Sequence, residues 1–345
     1  MSSAVPQTSQ VLSPANGPQG TPTPLDQLSM ALSDDMAATN TLIIARMQSH
    51  VPMIPQLAGY LIAAGGKRIR PLLTLAAAQI CGGADKARGL AASVEFIHTA
   101  TLLHDDVVDE SAQRRGKPAA NTVYGNKESV LVGDFLFARA FELMVESDDL
   151  RILEILSRAS RIISEGEILQ MSLTGDVAIT MQQYEAIIEA KTAALFSAAT
   201  HAGALAAGAN DAQAESLRKY GHHLGMSFQM IDDVMDYASS DNAMGKNAGD
   251  DFHEGKLTLP VLLALQNADS DEKAFWQRTM GDHNQTSGDF QTARRLIEKH
   301  GCLALGRQAA ENQASQGRAA LAGLPDGSIK ANLDDLLDFV VSRNH

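Results

Sequence analysis

From about Leu25 to the C-terminus, apolar residues recur at intervals of three and four. The runs break at Gly65-Gly66, Cys81-Gly82-Gly83-Ala84-Asp85, Arg115-Gly116-Lys117-Pro118 and Gly208-Ala209-Asn210-Asp211. Such spacing brings apolar side chains onto one face of a 3.6-residue turn and predicts amphipathic helices. The alternation of half-buried strands is missing. The pattern predicts an all-α chain. The first 24 residues, rich in Ser, Pro, Gln, Gly and Thr, have little to bury and read as a disordered extension. Residues 25–345 read as one helical domain, because the apolar period returns at Leu333, Leu336, Leu337 and Val340 after a more polar stretch. Within that stretch, Gly281 to Gly288 is the expected mobile loop.

Composition sharpens this reading. Hydrophobic residues make up 45% of the chain and aromatics only 5%. The excess lies in alanine and leucine, which suits helices packed closely on small side chains. A net charge of -13 disfavours nucleic acid, so basic groups serving a phosphate must be locally concentrated. Cys81 and Cys302 are far apart and lack metal-ligand spacing, so neither a disulfide framework nor a zinc site is expected, and a reducing cytoplasm fits. There is neither a signal-peptide pattern nor an uncharged apolar run of about 18 residues, so export and membrane spanning are not expected.

The candidate chemistry lies in charged clusters set into apolar helices. In EFIHTATLLHDDVVDE, His98, Leu102, Asp105 and Asp109 fall in one helical stripe, with Asp106 beside it. Three neighbouring carboxylates repel unless cations compensate, and magnesium, which takes oxygen ligands and completes its shell with substrate phosphates, is the natural candidate. In QMIDDVMDY, Gln229, Asp233 and Asp236 share a face and Asp232 flanks it. One DDVxD could be a solvated acidic face, but two copies within apolar helices argue for metal. Asp34-Asp35 reads as a helix start, and Asp250-Asp251 with Glu254 as a polar loop. The stretch Gly65-Gly66-Lys67-Arg68-Ile69-Arg70-Pro71 offers backbone donors and guanidinium groups to a phosphate, and Arg114-Arg115 adds a basic pair. An acidic chain so built is equipped for two diphosphates.

The ordered motifs GGKRIRP, IHTATLLHDDVVDE, RRGKP, GDFLFARAF, EAKTAALF, FQMIDDVMDY and GKNAGDDFHEGK resemble those of the trans-isoprenyl (polyprenyl) diphosphate synthases, most closely the long-chain, octaprenyl-type branch. The resemblance implies a single-domain antiparallel helical bundle around a deep central cavity, with the two aspartate motifs facing each other across its mouth. It implies a magnesium-dependent enzyme, a homodimer, that condenses isopentenyl diphosphate with an allylic diphosphate in repeated cycles. The product would be a long all-trans polyprenyl diphosphate, destined for a quinone side chain. Carried over by position, Asp105 and Asp109 would bind magnesium, with Asp232 and Asp236 holding a further ion and Asp106 and Asp233 in support. Lys67, Arg70, His98 and Arg115 match the isopentenyl diphosphate site. Arg114, Lys191, Thr192 and Gln229 match the allylic site, and Lys246 and Lys256 match lysines that close over the diphosphate. Ala100 and Thr101 stand where bulky residues limit product length in short-chain enzymes, with Phe137 or Phe141 as a lower floor. Leu257 departs from the family pattern, which has proline there, and so does Ala119-Ala120-Asn121, where a more polar run is commoner. The rival readings are a shorter-chain synthase, a class I terpene cyclase with one diphosphate site, and a non-catalytic regulatory subunit.

Overall fold

The computed structural model describes residues 22–63, 66–114, 116–238 and 249–343. Residues 1–21 of the expected extension, Gly65, Arg115 and Lys246 lie outside the described residues.

The described chain is almost wholly helical. Its helices are α1 (Pro24–Ala31), α2 (Ser33–Arg46), α3 (Met53–Ala63), α4 (Ile69–Cys81), α5 (Arg88–Val108), α6 (Ala120–Tyr124), α7 (Asn126–Val145), α8 (Leu150–Leu173) and α9 (Met181–Ile188). They continue as α10 (Ala194–Ala206), α11 (Asp211–Ala238), α12 (Asp250–His253), α13 (Leu259–Asn267), α14 (Ser270–Trp276), α15 (Asp289–Lys299), α16 (Cys302–Leu321) and α17 (Ser328–Ser342). Among the described residues the exception is a two-residue antiparallel pair, Gln113–Arg114 with Lys117–Pro118, which folds the basic segment after α5 back on itself.

Local chemistry sets several helix starts. Thr23 and Pro24, which the sequence left in the extension, open α1: the Thr23 hydroxyl and the Asp26 carboxylate form a capping box, and proline occupies the first turn. Asp34 and Asp35 lie in the first turn of α2, as expected of a helix start, and Asp35 pairs with Arg88 at 2.6 Å.

Small residues permit unusually close helix packing. A Cβ on Gly203 of α10 would lie 2.1 Å from the Thr74 carbonyl oxygen of α4, and one on Gly225 of α11 would lie 2.6 Å from Cα of Ala193. The alanine and glycine content therefore lets α10 wedge between α4 and α11. The long helix α11 serves two apolar clusters. Leu217, Tyr220 and Leu224 join Phe96, Leu103, Leu136 and Phe196 in one, while Met230, Ile231 and Tyr237 join Tyr184, Phe252 and Trp276 in the other. Leu257 is buried in the second cluster, where an apolar side chain fits as well as proline.

The segment from Gly281 to Gly288 differs from expectation. Arg278 donates to the Asn284 carbonyl and forms a paired contact with Asp289, Thr286 donates to Asp289, and the Gln285 amide donates to the carbonyls of Phe252 and Thr279. A polar loop that reads as mobile is in fact pinned by its own polar groups.

Candidate active site

The first aspartate motif sits where α5 ends. Asp105 and Asp106 occupy the last turn and Asp109 is the C-cap residue, its amide bonded to the Asp105 carbonyl. The three carboxylates have different fates. Asp106 turns inward to 0% exposure, where Nε of Arg114 donates to it at 2.7 Å, and the Asn121 amide donates to its carbonyl at 2.8 Å. Burial raises the Asp106 carboxyl, Arg114 opposes the rise and Asp109 adds to it. Asp105 is pushed up to about 7 by burial and by the negative charges of Glu167 and Asp109, against the pull of Lys191 and Arg114. Asp109 faces Lys256, whose Nζ lies 3.3 Å away.

The second motif lies inside α11, which continues two residues beyond it. Asp233 is 3% exposed and held from two sides, by the Tyr184 hydroxyl at 2.6 Å and the Gln229 amide at 2.9 Å. Burial raises its carboxyl, and those donors oppose the rise. Asp236 accepts from the backbone amides of Gly249 at 3.3 Å and Asp251 at 3.2 Å. Asp232 keeps a partly open side chain, 42% exposed, with the Arg343 guanidinium 3.9 Å away. Asp251, which the sequence placed in a polar loop, belongs instead to this cluster: it is the second residue of α12, and burial together with Asp233 and Asp236 drives its carboxyl well up.

Lys191 and Thr192 sit on a π-helical turn, Glu189–Ala193, between α9 and α10. Such widened turns mark functional sites because they re-aim side chains within a helix. Gly166 of α8 makes room for this one, since a Cβ there would lie 2.5 Å from that of Ala190. The Lys191 ammonium thereby meets Glu167 at 2.7 Å and the Gln170 side-chain oxygen. The Thr192 hydroxyl donates to the Gln229 oxygen at 2.7 Å, completing a chain from Thr192 through Gln229 to Asp233 and Tyr184. Gln229 is thus fixed in orientation.

Two cavities flank these motifs. The larger, about 420 Å³, is lined by Lys67, Arg70, His98 and Arg114, with apolar walls that include Phe196 and Phe339. The Arg70 guanidinium lies 3.1 Å from the His98 ring and 4.6 Å from the Phe196 ring centre, so cation–π contact and imidazole aim it into the cavity. The smaller cavity, about 230 Å³, is lined by Lys191, Thr192, Gln229, Asp233, Asp251 and Lys256. Arg114 therefore borders the larger space, although the sequence grouped it with the residues of the smaller. Lys256 reaches across the mouth: burial works against its charge, but Asp109, Glu254 and Asp251 outweigh that and raise the ammonium. Lys256 thus links the segment that follows the second motif to Asp109 of the first.

Sequence reasoning missed Glu167, Tyr184 and Arg343. Arg343, just past α17, stacks on Phe228 at 4.3 Å and lines the larger cavity, while Arg307 holds the carbonyls of Val341 and Arg343. Nothing local marks a cation at a chain end as a site residue. On α5, Ala100 is buried and the half-buried Thr101 donates to the His98 carbonyl. Phe137 packs on His104, whereas Phe141 is 39% exposed and faces outward.

Known proteins resemble this chain in sequence and in fold. Residues 51–297 match the polyprenyl synthetase family. The chain belongs to that family. It is 41% identical to the octaprenyl diphosphate synthase of Escherichia coli over 93% of this chain and 99% of the relative. Family members of known structure include a polyprenyl synthase from Caulobacter crescentus, complexed with calcium and isoprenyl diphosphate, at 52% identity and TM-score 0.90, covering 95% of this chain and all of that one. A decaprenyl diphosphate synthase from Rhodobacter capsulatus stands at 51% and 0.90, with coverage of 93% and 99%. Among the described residues, no helix is long and apolar enough to cross a membrane.

Proposed function

We propose that this chain condenses isopentenyl diphosphate with an allylic diphosphate in repeated cycles, giving a long-chain all-trans polyprenyl diphosphate. The observation that carries the reading is the pair of cavities beside the aspartate motifs, one lined by cations, among them the Arg114 and Arg343 that approach Asp106 and Asp232, and the other lined by carboxylates and lysines. A class I cyclase needs a single diphosphate site and leaves the cationic cavity without a purpose.

Magnesium fits the open carboxylates. Asp105, Asp109 and Asp232 are hard oxygen donors. Burial, with the charges of Glu167 and Asp109, raises the Asp105 carboxyl, and one Asp106 oxygen has no donor among the described residues, so a cation at the first motif would offset both. Among the described residues no three acidic, His or Cys side chains converge closely enough to hold an ion alone, so Asp105, Asp109 and Asp232 would hold magnesium together with the substrate diphosphate. When bound, magnesium supplies Lewis-acid stabilisation of the departing diphosphate.

The protein's own groups do the rest. Lys191 and Lys256 take up charge as the allylic C1–O bond breaks, while Lys67, Arg70 and His98 hold isopentenyl diphosphate. The terminal alkene carbon of isopentenyl diphosphate bonds to C1, and the proton lost from its C2 passes to the released diphosphate. The Gln229 oxygen, oriented by Thr192 and Asp233, faces the transient cation, and the apolar walls exclude water. The growing tail runs past Ala100 and Thr101. A quinone side chain is the proposed destination of the product.

A homodimer is supported by an exposed apolar stripe on α7, where Val130, Leu131, Phe141 and Val145 repeat at helical spacing. The free thiols of Cys81 and Cys302 fit a cytoplasmic location. The functional reading is tested with purified chain, labelled isopentenyl diphosphate and farnesyl diphosphate. Products extended by successive five-carbon units to long chains are expected. Turnover of the allylic substrate alone into a hydrocarbon would contradict it.

A further inference from the structure

Within this prenyl-transfer reading, we infer that Asp236 is the anchor of the segment carrying Lys256, and a positioning residue instead of a metal ligand. Its carboxylate is already engaged on both oxygens, Oδ1 by the Gly249 amide and Oδ2 by the Asp251 amide, and its carbonyl accepts the Gly249 amide a second time at 3.1 Å. A continuous path leads from there to the mouth. The Asp251 carbonyl accepts from the Lys256 amide at 2.8 Å, and the Lys256 ammonium reaches Asp109 of the opposite motif at 3.3 Å. The carboxylate of one motif thus sets where a lysine meets the other.

The segment has little freedom to find that position another way. Gly249 has a positive φ of 88°, and a Cβ there would lie 2.3 Å from the Phe290 ring, so the backbone at the anchoring point is restricted to glycine. Behind it, Phe252 is buried against Phe290. That contact and the Gln285 amide on the Phe252 carbonyl hold α12 from behind, while Asp236 holds the amides at its start. Asp232 offers the contrast: its side chain is 42% exposed and, among the described residues, no backbone amide donates to it. Two carboxylates on one helical turn therefore divide the work, with Asp232 left for the cation and Asp236 committed to the chain.

Hydrogen exchange at the Asp251 amide of metal-free protein tests the anchor independently of turnover, with the Gly249 amide, which keeps its bond to the residue 236 carbonyl in every variant, as the internal reference. Protection of the Asp251 amide in the wild type, lost in Asp236→Ala and partly kept in Asp236→Asn, is expected; equal exchange there in all three overturns the inference. In condensation assays, Asp236→Ala should raise KM for the allylic diphosphate roughly tenfold, as expected for weakening one charge-assisted contact. The magnesium concentration for half-maximal rate should not change. Adding Lys256→Ala should cost no more than Lys256→Ala alone, because both changes remove the same contact. A tenfold higher magnesium requirement in Asp236→Ala, or multiplicative effects in the double variant, overturns the inference. Wild-type protein that makes no elongated product counts against the functional reading, while the exchange experiment still decides the anchor.

Discussion

The same five-residue pattern, DDVxD, occurs at 105–109 and at 232–236, yet the two copies place their carboxylates differently. In the first, two of three remain toward the mouth and Asp106 is tied to Arg114. In the second, one of three remains, with Asp233 tied to Tyr184 and Gln229, and Asp236 to backbone amides. The cause is position along the helix. The first motif terminates α5, so Asp109 caps the helix and stays accessible. The second lies within α11, with α9 packed on one side and α12 on the other, and those neighbours claim two of its three carboxylates. A sequence motif specifies which groups are available in number; the elements packed around it specify which are free.

The comparison breaks most directly at the carboxylates left open. Asp105→Ala and Asp232→Ala should each lower turnover at least ~10²-fold, since each removes a group acting on transition-state charge. A near-normal rate for either at saturating magnesium would undo its assignment. The two cavities are separated next. Arg70→Ala should weaken isopentenyl diphosphate by roughly 1.5–3 kcal/mol, the worth of a lost charge-assisted bond, with the allylic KM unchanged. Equal weakening of both substrates would merge the sites.

Product length sharpens the first motif's side of the comparison. Thr101→Tyr should shorten the products toward farnesyl or geranylgeranyl length, as read by mass spectrometry, with ionisation retained. Ala100→Phe should do the same but destabilise the fold by about 1–3 kcal/mol, because Ala100 is fully enclosed. Unchanged lengths in both would place the tail elsewhere.

The smallest effect is on stability against pH. A carboxyl pushed up to about 7 in the folded state, as at Asp105, binds its proton more tightly than in the unfolded chain, where the value is about 3.9. Its contribution to stability is present below the unfolded value and is lost as pH rises through 7. Metal-free protein should therefore lose stability from this group between about pH 4 and 7. Magnesium with a diphosphate should raise Tm more at pH 8 than at pH 6, because at the lower pH protons compete for Asp105. An equal Tm gain at both would place the ion away from Asp105.

Much of this site was legible in the sequence for a physical reason: its parts are periodic. His98, Leu102, Asp105 and Asp109 follow one helical stripe, and Gln229, Asp233 and Asp236 another. The cationic stretch around Lys67 and Arg70 stood out against an acidic chain. What was not legible depends on contacts between distant segments. Glu167 matters because Gly166 admits a π-turn that brings Lys191 to it. Arg343 matters because α17 ends beside Asp232. Asp251 read as a loop residue because nothing in its own neighbourhood reveals that Asp236 receives its amide. The segment from Gly281 to Gly288 misled in the opposite sense, since the same polar composition describes a loose loop and one pinned by Arg278 and Asp289.

The central claim is that equal motifs hold unequal numbers of metal-facing carboxylates. It is tested by changing all six aspartates singly to asparagine and measuring the magnesium concentration for half-maximal condensation. A raised requirement at Asp105, Asp109 and Asp232, with an unchanged one at Asp106, Asp233 and Asp236, is the predicted result. A raised requirement at all six, or at Asp236 as strongly as at Asp232, would contradict it.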